Sequence, residues 1–224
     1  MKMKKMFPVL IFIPMIASCS LTVLDGEEPE PTPEGISVIE EENSLYTTDE
    51  TETGIYVFET NDTRYLNKNG YTVWTTKDIN EADGFEPITV SVMKQSGRSE
   101  AGFGIVFCSQ EIEGKPFLIT VLINTDGLYT VGKVVDGVFS HLNKGWQGSY
   151  NINRGYGIRN VINVSYDDDK KYFLLMINGN ETTVFTVSED FTFKNSRSGF
   201  VTVIANNEDF PRKPVKVTFE KTGQ

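Results

Sequence analysis

From residue 54 to residue 224, short runs of β-branched and aromatic residues recur about every ten positions, with turn-forming residues between them. The runs fall at 55–59, 71–75, 88–94, 102–108, 117–124, 128–134, 161–166, 172–178, 183–187, 198–204 and 215–220. No stretch sustains an apolar period of 3.6 residues, so a long amphipathic helix has nowhere to form. Asp126-Gly127, Asp136-Gly137 and Asn178-Gly179 supply the left-handed backbone positions that tight hairpin turns require. The pattern predicts an all-β fold over 54–224, a two-sheet antiparallel β-sandwich or jelly roll.

Composition removes several alternatives. One His and two Cys cannot make a structural zinc site of the usual ligand set, nor a disulfide-stapled scaffold. The formal charge is −10 and no basic stripe appears, which argues against a nucleic-acid partner. No motif calls for a cofactor or a metal.

The first residues have a different grammar. Lys2, Lys4 and Lys5 precede an apolar run of about eleven residues, far short of the roughly 20 needed to span a bilayer. The run ends in Ile16-Ala17-Ser18-Cys19, which resembles the lipobox of bacterial lipoproteins. That resemblance implies a signal peptide over 1–18, cleavage before Cys19, and acyl chains on Cys19. Each buried CH₂ contributes roughly 0.8 kcal/mol, so two or three chains anchor a protein durably to a membrane. Ser20, where an Asp would signal inner-membrane retention in the enterobacterial pattern, implies a lipid-anchored envelope protein of the outer membrane or cell surface.

Residues 20–53 hold eleven acids and no Lys or Arg, with Pro29, Pro31 and Pro33 among them. Following the lipidated Cys19, with which they make up 19–53, these 34 residues read as a disordered, self-repelling tether that extends to about 110 Å. Without the three signal lysines the chain has 18 basic and 31 acidic residues; without the tether's eleven acids it has 18 against 20, or −2. The body is nearly neutral and the acidity belongs to the stalk. As an alternative, the apolar patches at 36–39 and 45–46 dock on the domain as an added edge strand.

Within the body, the order Gly102-Phe-Gly-Ile-Val-Phe107, residues 117–124, Gly127-Leu-Tyr-Thr-Val131, Tyr172-Phe-Leu-Leu-Met-Ile-Asn-Gly179, Ser198-Gly-Phe-Val201 and the closing run at 215–219 is distinctive. It resembles the concanavalin A-like lectin and glucanase superfamily, with its laminin-G-like domains, over roughly 55–220. The resemblance implies a jelly roll and a glycan ligand. It rests on strands and turns, so it speaks to fold more than to activity.

Glycosidases on such a fold need paired carboxylates on one strand face. The pattern Glu-x-Asp-x-x-Glu lies in none of the strand runs; its one occurrence, from Glu81 to Glu86, falls between the runs at 71–75 and 88–94. Glu111 and Glu113 lead into a turn, and Asp167, Asp168 and Asp169 read as a solvated hairpin loop, or less simply as oxygens for Ca²⁺. Asn206, Asn207, Glu208 and Asp209 offer the same Ca²⁺ alternative. Cys108 and His141 form no catalytic pair, since His141 has no acid near it in sequence to orient it. If Phe103, Ile105 and Phe107 face the core, Cys108 points outward with Gly102 and Gly104, to a face where glycines let a ligand approach.

The segment 144–160 is rich in Gly and Asn and carries Trp146, Tyr150, Arg154, Tyr156 and Arg159. Aromatic rings stack on the C–H faces of sugars while Arg and Asn hydrogen-bond the hydroxyls; the bland reading is a connection whose aromatics plug the end of the sandwich. Trp74 is a second candidate, equally suited to the core. The expectation is a membrane-anchored lipoprotein displaying a non-catalytic glycan-binding module. The alternatives are an adhesive module for a surface protein and a glycoside hydrolase with an unrecognised site.

Overall fold

In the computed structural model, two antiparallel sheets face each other across a core drawn from alternate residues of most strands. The structure describes residues 36–38, 47–50, 54–61, 71–80, 85–188, 191–193, 196–205 and 212–221, the backbone alone for 36–38, 47–50 and 71–80. Among them are β1 (Ile36–Val38), β2 (Thr47–Glu50), β3 (Ile55–Thr60), β4 (Tyr71–Asn80), β5 (Ile88–Ser96), β6 (Phe103–Ile112), β7 (Lys115–Ile123) and β8 (Leu128–Val135). There follow β9 (Val138–His141), β10 (Gln147–Gly148), β11 (Asn160–Asp167), β12 (Tyr172–Ile177), β13 (Asn180–Phe185), β14 (Ser196–Val203) and β15 (Val215–Lys221). One sheet runs β1-β4-β14-β6-β7-β8-β10, with β9 also on β8; the other runs β13-β12-β11-β5-β15-β3-β2. The all-β sandwich expected from the sequence is the fold observed.

Period-two alternation builds the core. Phe103, Ile105 and Phe107 of β6, Ile119, Val121 and Ile123 of β7, and Phe200 of β14 point inward from one sheet. Val90 and Val92 of β5, Ile162 and Val164 of β11, Phe173 of β12 and Phe219 of β15 meet them from the other. Phe200 stacks on Phe219 with ring centroids 4.8 Å apart, and Phe107 meets Phe173 at 5.5 Å. Each such side chain contributes roughly 1.5–3 kcal/mol through burial.

The alternation breaks once in β6, and the break corrects an expectation. Phe107 pairs with Ile119 but the next pair is Gln110 with Phe117, so β6 carries one extra residue in a β-bulge. Cys108 takes the left-handed conformation there (φ 51°) and joins Phe107 in the core, instead of turning outward with the glycines. Burial pushes its thiol well above the ordinary range. His141 lies on the opposite side of the same sheet, so the two are not neighbours.

The hairpins follow the turn chemistry. Asp136-Gly137 (φ 50° and 75°) joins β8 to β9, and Asn178-Gly179 (52° and 78°) joins β12 to β13. Glu113-Gly114 (52° and 74°) joins β6 to β7 in the same way. At Asp126-Gly127 the connection takes four residues, because the Asn124 side chain accepts the backbone N–H groups of Asp126 and Leu128. Asp167, Asp168 and Asp169 lie on the β11–β12 turn, where Lys170 and Lys171 pair with the first two.

Part of the segment read as a tether joins the sheets. β1 adds to β4, with Ile36 opposite Thr76, and β2 adds to β3, with Thr47 opposite Glu59. The edge-strand alternative for 36–39 is thus realised at 36–38. Leu45 and Tyr46, Cys19 and the 206–209 group lie outside the described residues.

Candidate functional site

Strand β8 organises the segment from 138 to 154. Tyr129 and Val131 face the core, so Thr130, Gly132 and Val134 face outward. One edge of β8 is bonded to β7 and the other carries β9 and β10 in tandem. His141 pairs with Gly132, Phe139 with Val134, Gln147 with Tyr129 and Gly148 with Leu128. Beyond β10, the Ser149 N–H donates to the Gly127 carbonyl at 3.0 Å. The outer floor is apolar and buried, formed by Val106, Leu118, Leu122, Val134 and Val201.

Trp146 precedes Gln147 and lays its indole across that floor. A methyl on Gly102 would lie 3.0 Å from Trp146 Cη2 and 3.2 Å from Leu122 Cβ. The far edge of the ring lies over Gly102 and the residue remains 39% exposed, which leaves an aromatic surface in solvent. The outward glycines therefore serve packing rather than ligand approach: Gly102 receives Trp146, and a side chain on Gly104 would collide with the Val121 carbonyl.

A polar relay stands beside this ring. Asn143 Oδ1 accepts from the Thr130 hydroxyl (3.1 Å) and from the Val131 N–H (3.3 Å). A hydroxyl has one proton, so Thr130 accepts from His141 Nδ1 at 2.8 Å. That assignment leaves Nε2 of neutral His141 as an acceptor. The half-exposed Phe139 ring sits edge-on to His141 at 4.9 Å and covers Gly132. Asn143 Nδ2 is buried without a partner.

The other sequence candidates divide. Arg154 lies over Gly127, where a methyl would meet its Nε at 2.5 Å, so it joins the β8 group with Trp146. The Tyr156 hydroxyl donates to the Gly97 carbonyl on the β5–β6 connection. Arg159 pairs with Glu220 of β15 at 2.8 Å, in the other sheet. Tyr150 is fully exposed. Trp74 has its backbone in β4, in register with Phe200 and Val38; its side chain is outside the described residues.

Two residues that anchor the segment were not singled out in the sequence. Lys94 is fully buried and its Nζ donates to the carbonyls of Arg98 (2.6 Å) and Ala101 (3.0 Å), while its own carbonyl accepts the Gly157 N–H. Asn178 accepts from the Val161 N–H (2.8 Å) and donates to the Asn151 carbonyl (2.7 Å) and Asn160 Oδ1 (2.8 Å). A run such as 88–94 gives no sign that its last residue turns inward, and Asn178 carries only a turn signal.

No protein-family model matches the sequence, and no curated protein matches it. Solved structures do. The chain resembles the carbohydrate-binding module CBM66 of Bacillus subtilis at a TM-score of 0.55 and 9% identity, over 84% of this chain and 93% of that one. The fold is a jelly roll. A prokaryotic β-1,3-1,4-glucanase (lichenase) from a mouse hindgut metagenome has a TM-score of 0.50 and 9% identity, over 87% and 96% of the two chains. Identities this low speak to architecture alone.

Proposed function

We propose that this chain is a lipid-anchored envelope protein displaying a glycan-binding jelly roll, with its ligand site along β8. The observation that carries the reading is the exposed Trp146 indole, seated over Gly102, beside the His141–Thr130–Asn143 relay. An aromatic platform flanked by a few oriented polar groups is the arrangement that sugar rings require, apolar on a face and polar at the rim. The likeness to a carbohydrate-binding module supports the reading at the level of fold.

The test is a broad glycan array probed with the full-length chain in neutral detergent, beside Trp146→Ala and Trp146→Phe. Specific binding that Ala removes and Phe largely retains supports the reading. No binding by a folded chain moves the reading to a protein partner. For that partner β13, an edge strand of the second sheet with Val184 half exposed, is the available surface. Anchoring is read separately: Cys19→Ser should abolish incorporation of labelled palmitate and release the chain from the membrane fraction.

A further inference from the structure

The 30 residues from 137 to 166 contain no Asp or Glu, in a chain with 31 of them, and hold His141, Lys144, Arg154 and Arg159. This acid-free segment supplies the overhanging groups of the β8 rim. Arg159 is neutralised by Glu220. Lys144 and Arg154 are exposed, and neither has an ion-pair or hydrogen-bond partner among the described residues. In sequence the segment is bounded by Asp136 and by Asp167 at the end of β11, and Asp126 stands on the turn before β8. Asp126 accepts from the Ser99 hydroxyl at 3.1 Å and makes no ion pair with Arg154; Asp136 lies on the β8–β9 hairpin.

We infer that the ligand of the β8 rim is an acidic glycan, one whose rings bear carboxylate or sulfate. The inference rests on the glycan reading and adds the charge of the ligand to it. Arg154 at Gly127, Trp146 next to Gln147 (which pairs with Tyr129) and His141 at Gly132 mark out a line over residues 127–132, five residue steps or about 17 Å. The Arg154 charge at one end and an aromatic surface beside it suit a short stretch of polysaccharide with a repeating anionic group. Lys144 precedes Trp146 by two residues and adds its charge on the same connection. Such cations, exposed and uncommitted, act chiefly by attraction that salt screens.

The experiment presents the full-length chain in neutral detergent with paired glycans. Each uronate, sialate or sulfated chain stands beside its carboxyl-reduced or desulfated parent. At low salt the acidic member should bind roughly three- to tenfold more tightly, and the ratio should fall toward one near 1 M NaCl, where the Debye length is about 3 Å. The double variant Lys144→Gln/Arg154→Gln should lose the ratio, binding the acidic and the neutral member of each pair alike. Both side chains are exposed, and a melting curve checks that the variant is folded. Equal binding within pairs, or preference for the neutral member, overturns the charge inference and leaves the glycan reading standing. Absence of binding to every glycan overturns both.

Discussion

Gly104 and Gly137 separate two reasons for having no side chain. At Gly104 any Cβ collides with the backbone carbonyl of Val121, so strands β6 and β7 must part or bend. At Gly137 nothing lies within 4 Å, but φ is 75°. We expect Gly104→Ala to cost about 1–3 kcal/mol or more, as overpacking does, and Gly137→Ala about 1 kcal/mol through left-handed strain alone. Urea unfolding of the two variants measures the difference, and equal losses would refute the steric account. Cys108 offers a second check at this scale. Its thiol sits in the core behind the bulge and burial favours the protonated form. In a Cys19→Ser background the native chain should not react with a thiol reagent at pH 8, and should release one equivalent of thiol only when unfolded. Strand alternation carried through position 108 predicts the opposite orientation, and a bulge carried by a non-glycine residue leaves no composition signal.

At the scale of elements, the strands were legible because burial on one face and turn residues at the ends are local properties. Phe103, Ile105 and Phe107 announce their face by alternation, and Asn178-Gly179 announces its hairpin by its φ requirement. The path of 144–160 was not legible, since hydrogen bonds between distant residues set it. Asn178, itself on the β12–β13 hairpin, fastens the segment by reaching Asn151, Asn160 and Val161. Asn178→Ala should therefore lose three hydrogen bonds and some turn propensity, a cost of roughly 2–4 kcal/mol. It should also speed amide exchange across 151–161 more than in the distant β3–β15 pair. Uniform acceleration would mean that the network does not act locally. The register of β1 and β2 was equally unreadable, because three- and four-residue strands are defined by their partners. Removal of residues up to 53 should lower the melting temperature more than removal up to 35, since only the longer cut strips the edges of β4 and β3.

Across the whole molecule the charge is distributed unevenly, and the distribution depends on where the domain begins. From residue 54 the balance is 18 basic against 20 acidic; from residue 36 it is 18 against 26, because Glu40, Glu41, Glu42, Asp49, Glu50 and Glu52 are included. β1, which Glu40 follows closely, lies at the edge of its sheet opposite β8. Five inter-strand steps separate them, about 24 Å. That distance exceeds the Debye length of about 8 Å at physiological ionic strength and falls within the roughly 30 Å reached at 0.01 M. Charge carried on that edge should therefore reach the β8 rim only at low salt. Converting the six acids to Gln or Asn should raise the association rate of an acidic glycan severalfold at 0.01 M salt and leave dissociation unchanged, because long-range charge steers encounter more than it holds the complex. Above 0.15 M the variant and the wild type should coincide. Stopped-flow kinetics resolves the two rates, and a change confined to dissociation would mean that the six acids act by contact with the ligand and not by long-range steering.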